Sequence, residues 1–171
     1  MSKQCCSPNG LAPNVRAWTG LFTRWLGHEP GADRPRILLA ESGEHVAELL
    51  SSWLGRAGYC PQIASDYFTA YNQFRKERPD LLVVDANPGR LPSLAFIRRW
   101  KTEAPNMPLL AISGGSSCEA TNLARAGADG ILVKPLNCRG LLWQVEQTLS
   151  RYPRRKGAEY PAGLHRPPPA A

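Results

Sequence analysis

"PDLLVVDANPG", Pro79 to Gly89, sets Leu81, Leu82, Val83 and Val84 in an unbroken apolar run and halts it at Asp85. Such a run is the mark of a strand buried on both faces, as in a parallel sheet. The "DANPG" that closes it is good turn chemistry. The same beat recurs on either side. Upstream, "RILLA" precedes "EHVAELLSSWLGRAG", which is helical in period and closed by Gly58, and the weaker "YCPQIA" leads into "SDYFTAYNQFRKERP", with Ser65 or Asp66 as its cap. Downstream of the turn come "LAFIRRWKTEAP", then "PLLAI" with a Gly/Ser loop and "CEATNLARAG". Last is "GILV" with "KPLNCRGLLWQVEQTLSR", where Asn137 can cap the final helix. Short buried strands alternating with amphipathic helices predict a doubly wound α/β domain over residues 35–151, with a parallel sheet and helices on both faces.

The bulk composition agrees. A chain of 171 residues with 43% hydrophobic content can bury a core without covalent staples, as one domain plus tails. No apolar run is long enough to span a bilayer, and "MSKQCCSPNG" lacks the apolar centre of a signal peptide, so the cytoplasm is expected. Cys5, Cys6, Cys60, Cys118 and Cys138 are odd in number and scattered, which suits reduced thiols better than a disulfide frame or a zinc site. The net charge of +7 sits largely outside the domain, on Lys3, Arg16 and Arg24 before it and Arg151, Arg154, Arg155, Lys156 and Arg166 at or beyond its end. Solubilising tails are therefore expected before nucleic-acid contact.

Residues 1–34 form an N-terminal extension. Within it Val15, Trp18, Leu21, Phe22, Trp25 and Leu26 fall at helical spacing, and Gly27 and Pro30 end the pattern. This short amphipathic helix is expected to pack on its own domain or a partner. Residues 152–171 are Pro- and Arg-rich and are expected to be disordered.

In an open α/β sheet, working groups lie beyond the carboxyl ends of the strands. The first polar residues there are Glu41, Asp85, Ser113 and Lys134. Glu41 and Asp85 suit a hard cation such as Mg²⁺, to which the Asn87 backbone carbonyl could add a ligand. Beside such an ion and the Lys134 ammonium, the Asp85 carboxylate could attack phosphorus, and Ser113 could donate to a phosphoryl oxygen. Plainer roles stand beside these. Asp85 could cap its own turn, and Glu41 or Ser42 could cap the helix that begins about Gly43. His28, His45 and His165 show no catalytic arrangement, and "SGGSS" lacks the lysine and spacing of a P-loop.

"ILLAES", "PDLLVVDANPG", "LLAIS" and "GADGILVKP", in that order and spacing, resemble the receiver domain of two-component response regulators over Arg36 to about Arg151. The resemblance implies five parallel strands in the flavodoxin-like order 2-1-3-4-5. It also implies Asp85 as phosphoacceptor, Ser113 as phosphate-sensing hydroxyl, Lys134 as its partner, a cis Lys134–Pro135 bond, and Mg²⁺ at Glu41 and Asp85. Three positions depart from the family pattern. Ser42 stands where a second acid is usual, which predicts weaker Mg²⁺ binding. Ile131 replaces the switch aromatic, and Leu136 a common Phe. The expected function is a stand-alone receiver in a phosphorelay. It would take phosphate from a histidine kinase or phosphotransfer protein and signal to a downstream protein through the fourth helix, last strand and fifth helix. No enzymatic activity is expected beyond self-catalysed transfer to Asp85. The alternative is a pseudo-receiver that binds proteins independently of phosphate. A haloacid-dehalogenase phosphatase is disfavoured because Asn87 holds the place of its second acid, and a flavodoxin because "ESGEHV" is acidic.

Overall fold

A computed structural model describes residues 34–86 and 93–152. The amphipathic pattern of residues 15–26, the Asn87 carbonyl and the chain beyond Tyr152 lie outside the described residues.

Among the described residues ten elements alternate. They are β1 (Arg36–Ala40), α1 (Glu44–Arg56), β2 (Cys60–Ala64), α2 (Tyr67–Glu77), β3 (Leu81–Asp85), α3 (Ser93–Glu103), β4 (Leu109–Ser113), α4 (Ser117–Ala126), β5 (Gly130–Val133) and α5 (Cys138–Ser150). All strands pair in parallel, in the order β2-β1-β3-β4-β5. Pro61 is tolerated because β2 lies at an edge, where a missing N–H costs least.

Strand parity explains the unbroken apolar runs. Leu38, Ala40, Leu82, Val84, Leu109 and Ala111 pack on one face against Ala70 and Phe74 of α2, Ile97 and Trp100 of α3, and Leu123 of α4. Ile37, Leu39, Leu81, Val83, Leu110 and Ile112 pack on the other against Leu50 and Leu54 of α1 and Leu141 and Val145 of α5. Successive side chains point to opposite faces, so a strand covered on both must be apolar throughout. Every residue of β3 before Asp85 is buried.

Local signals set several helix ends. Asp66 caps α2 by accepting from the Thr69 N–H, Ser116 caps α4 by accepting from the Glu119 N–H, and Asn137 caps α5 by accepting from the Gly140 N–H. One expectation needs correction. Ser42 does not cap α1; the cap position is Gly43, which offers no side chain. Glu41 reaches forward instead, and its Oε1 accepts the Gly43 N–H at 2.7 Å.

Candidate functional site

Parallel register carries four polar residues to one edge of the sheet. Asp85 ends β3 opposite Ile112 of β4, and Ser113 ends β4 opposite Val133 of β5. Lys134 follows β5, and its backbone N–H donates to the Ser113 carbonyl at 3.0 Å. Glu41 follows β1, and its N–H donates to the Ala64 carbonyl.

Asp85 and Lys134 meet directly. The ammonium Nζ lies 3.1 Å from Asp85 Oδ1 and 3.0 Å from Oδ2. The Asp85 side chain is only 9% exposed, so most of the solvation it loses must be replaced by this cation. The Lys134–Pro135 peptide is cis. Tyr67 supports the strand end from α2, its hydroxyl donating to the Asp85 backbone carbonyl at 2.8 Å while its ring stacks on Phe96.

Glu41 is the second acid of this group and is itself buried. Loss of solvent pushes its pKa up, the Gly43 N–H draws it down, the neighbouring Asp85 raises it and Lys134 lowers it. Its oxygens divide two roles. Oε1 does the helix-capping work, while Oε2 is buried with no hydrogen-bond partner. Ser42 is exposed.

Ser113 is on the same edge, but its hydroxyl is turned elsewhere. It is fully buried, donates to Glu119 Oε2 at 2.7 Å and accepts the Gly115 N–H at 3.2 Å. Glu119 also accepts the Gly114 N–H at 2.9 Å. Sequence reasoning passed over Glu119 and over Tyr67. The first had a legible signal: Ser116-x-x-Glu119 is the spacing of a capping box. Here the Ser half forms, but the glutamate reaches past the cap to the strand end. Tyr67 carries no comparable pattern.

Ile131 is half-buried, packs toward the α2–α3–α4 face and gives its carbonyl to the Gln144 side chain. Leu136 packs toward the α1–α5 face. Among the described residues, no set of three or more His, Cys, Asp and Glu side chains is grouped to hold a metal. No described helix is long and apolar enough to cross a membrane.

The family model described as "Response regulator receiver domain" matches residues 37–146. The chain belongs to this family. Among curated receivers it is 32% identical over 117 residues to Response regulator MprA of Mycobacterium leprae, covering 68% of this chain and 51% of that protein. To Response regulator MprA of Mycobacterium bovis it is 31% identical over 125 residues, covering 72% and 54%. The chain thus spans about half the length of the curated relatives it matches. Among solved structures, a response regulator from Thermotoga maritima superposes with a TM-score of 0.64 at 25% identity, covering 69% of this chain and 99% of that one. The chemotaxis protein CheY4 of Vibrio cholerae superposes with a TM-score of 0.63 at 24% identity, covering 68% and 99%, a likeness of fold. The receiver fold and strand order expected from the sequence are those observed.

Proposed function

We propose that this receiver accepts a phosphoryl group on Asp85 from a histidine kinase or phosphotransfer protein and signals through protein contacts. The observation that carries the reading is the Lys134 ammonium set across both Asp85 oxygens at the open end of β3. In the step itself, an Asp85 oxygen lone pair forms the new O–P bond as the P–N bond of a phosphohistidine opens. The released pair stays on the imidazole nitrogen, which takes a proton from water. Lys134 can then turn to the phosphoryl oxygens, and its charge offsets theirs.

The residues present fit Mg²⁺. A buried carboxylate oxygen without a donor, beside a second carboxylate, is a donor set this ion accepts while keeping several waters. Glu41 and Asp85 would hold it, and the bound ion would supply charge neutralisation for the phosphoryl group. Exposed, neutral Ser42 adds no third carboxylate, so saturation is expected at higher Mg²⁺ than a third acid would require.

Acetyl phosphate with a Mg²⁺ titration, read by intact mass, tests the proposal. Wild type gains one phosphoryl mass in a Mg²⁺-dependent manner, and Asp85→Asn does not. An equal gain in D85N removes Asp85 from the role.

A phosphate-independent binding module is the second reading. It is favoured by the Ser113 hydroxyl being engaged by Glu119. No mass gain in wild type at any Mg²⁺ concentration would select it. Under either reading, partner contact is expected through α4, β5 and α5, where Val133 and Trp143 are exposed large apolar residues.

A further inference from the structure

A hydroxyl has one proton to give. Ser113 gives its proton to Glu119 Oε2, at 2.7 Å, and the Gly114 N–H goes to the same oxygen, at 2.9 Å. Both donors sit immediately at the end of β4, the strand that adjoins β3 and Asp85. They are the kind of pair an anionic oxygen beside Asp85 would use. A carboxylate already holds them.

We propose that Glu119 is a built-in competitor for phosphate: its carboxylate occupies the Ser113 hydroxyl and the Gly114 N–H in the resting chain and must be displaced before either can bind a phosphoryl oxygen. The proposal rests on the reading of Asp85 as phosphoacceptor and adds a gate to it. Helix capping alone does not explain the contact. In a capping box the acid returns to the N–H of the cap residue, here Ser116, whereas Glu119 bonds to residues 113 and 114, beyond the cap. Its remaining oxygen, Oε1, is buried with no hydrogen-bond partner, so the carboxylate is held against the loop at a desolvation cost that release would relieve.

The arrangement makes a prediction of sign. If Glu119 only braces the loop, removing it loosens the donors and weakens anion binding. If it competes, removing it frees the donors, removes a like charge and strengthens binding.

The test uses inorganic phosphate as probe on the full chain in a D85N background, which removes the phosphoacceptor. Binding is followed by the amide shifts of Gly114 and Lys134. D85N/E119Q and D85N/E119A are compared with D85N. The glutamine variant keeps an acceptor atom for the loop, so it guards against loss of folding in the alanine variant. Because hydrogen bonds to charged groups are worth roughly a tenfold change in equilibrium, D85N/E119A is expected to bind phosphate on the order of tenfold more tightly, and D85N/E119Q, which loses the charge but keeps an acceptor, to gain part of that. Unchanged or weaker binding in a folded variant overturns the proposal, whatever the phosphorylation data show. In parallel, E119Q on the wild-type background is expected to label with acetyl phosphate several-fold faster than wild type. If neither labels while the phosphate affinities still rise, the phosphoacceptor reading fails and the gate stands.

Discussion

At the level of single residues, the two oxygens of Glu41 show how one side chain serves structure and chemistry together. Oε1 closes the entrance of α1 in place of a capping side chain, and Oε2 is left buried without a hydrogen-bond partner, on a side chain that neighbours Asp85. Burial is the largest influence on this group and raises its pKa above the ordinary value of 4.5, with the Asp85 charge adding to the rise. The consequence for stability has a definite sign. A carboxyl whose pKa is higher in the folded chain binds more protons folded than unfolded, so stability falls as pH rises from about 4.5 through the raised value. Glu41→Gln keeps an acceptor for Gly43 and removes the ionisation. In the absence of Mg²⁺ it is expected to be more stable than wild type at neutral pH, with the gap closing at acid pH. Urea midpoints across the pH range check this; a constant gap, or a less stable variant at neutral pH, contradicts it. The same substitution should raise the Mg²⁺ needed for phosphorylation, because the glutamine brings no charge to the ion.

At the level of elements, the ends of helices decide much of the geometry, and they were unevenly legible. Asp66 and Asn137 behave as their sequence positions suggest, because a short acceptor side chain in extended backbone can reach the orphan N–H groups of the first turn. Ser42 looked equally suitable but is one residue too early, since the helix starts beyond Gly43. Glu119 was missed because a capping-box signature says which backbone starts a helix, not where a long acid will finally reach. Glycines at two helix positions make opposite predictions. Gly127 ends α4 at φ +109, and a Cβ there would come within 2.8 Å of Lys101 Cγ. Lys101 cannot move freely, since its Nζ bonds the Met107 carbonyl and Asp129. Gly127→Ala is expected to cost about 1–2 kcal/mol from the left-handed backbone alone, before any clash. Gly55 lies inside α1 with open space around it, so Gly55→Ala should add roughly 0.5–1 kcal/mol. Denaturant melts of the pair settle both; a neutral Gly127→Ala would mean the α4 terminus relaxes.

Over the whole molecule, the sheet was the most legible part. Unbroken apolar strands such as "LLVV" can be satisfied only between two helical layers, and the observed core divides by strand parity. The order of the strands was not in the periodicity; it came from the resemblance carried by four motifs at the strand ends. Three of the expected groups, Glu41, Asp85 and Lys134, are gathered by that topology. The direction of the Ser113 hydroxyl was invisible because it depends on a side chain six positions along, across a loop. The receiver spans about half the length of its curated relatives, and its proposed chemistry rests on one carboxylate at the end of β3. The role of that carboxylate is read out by treating the full chain with acetyl phosphate and Mg²⁺, reducing with borohydride and mapping the peptides. An acyl phosphate on an aspartate is converted to homoserine by this treatment. Homoserine is expected at position 85 alone; no homoserine anywhere, or homoserine at a different aspartate, would remove Asp85 from the role of phosphoacceptor.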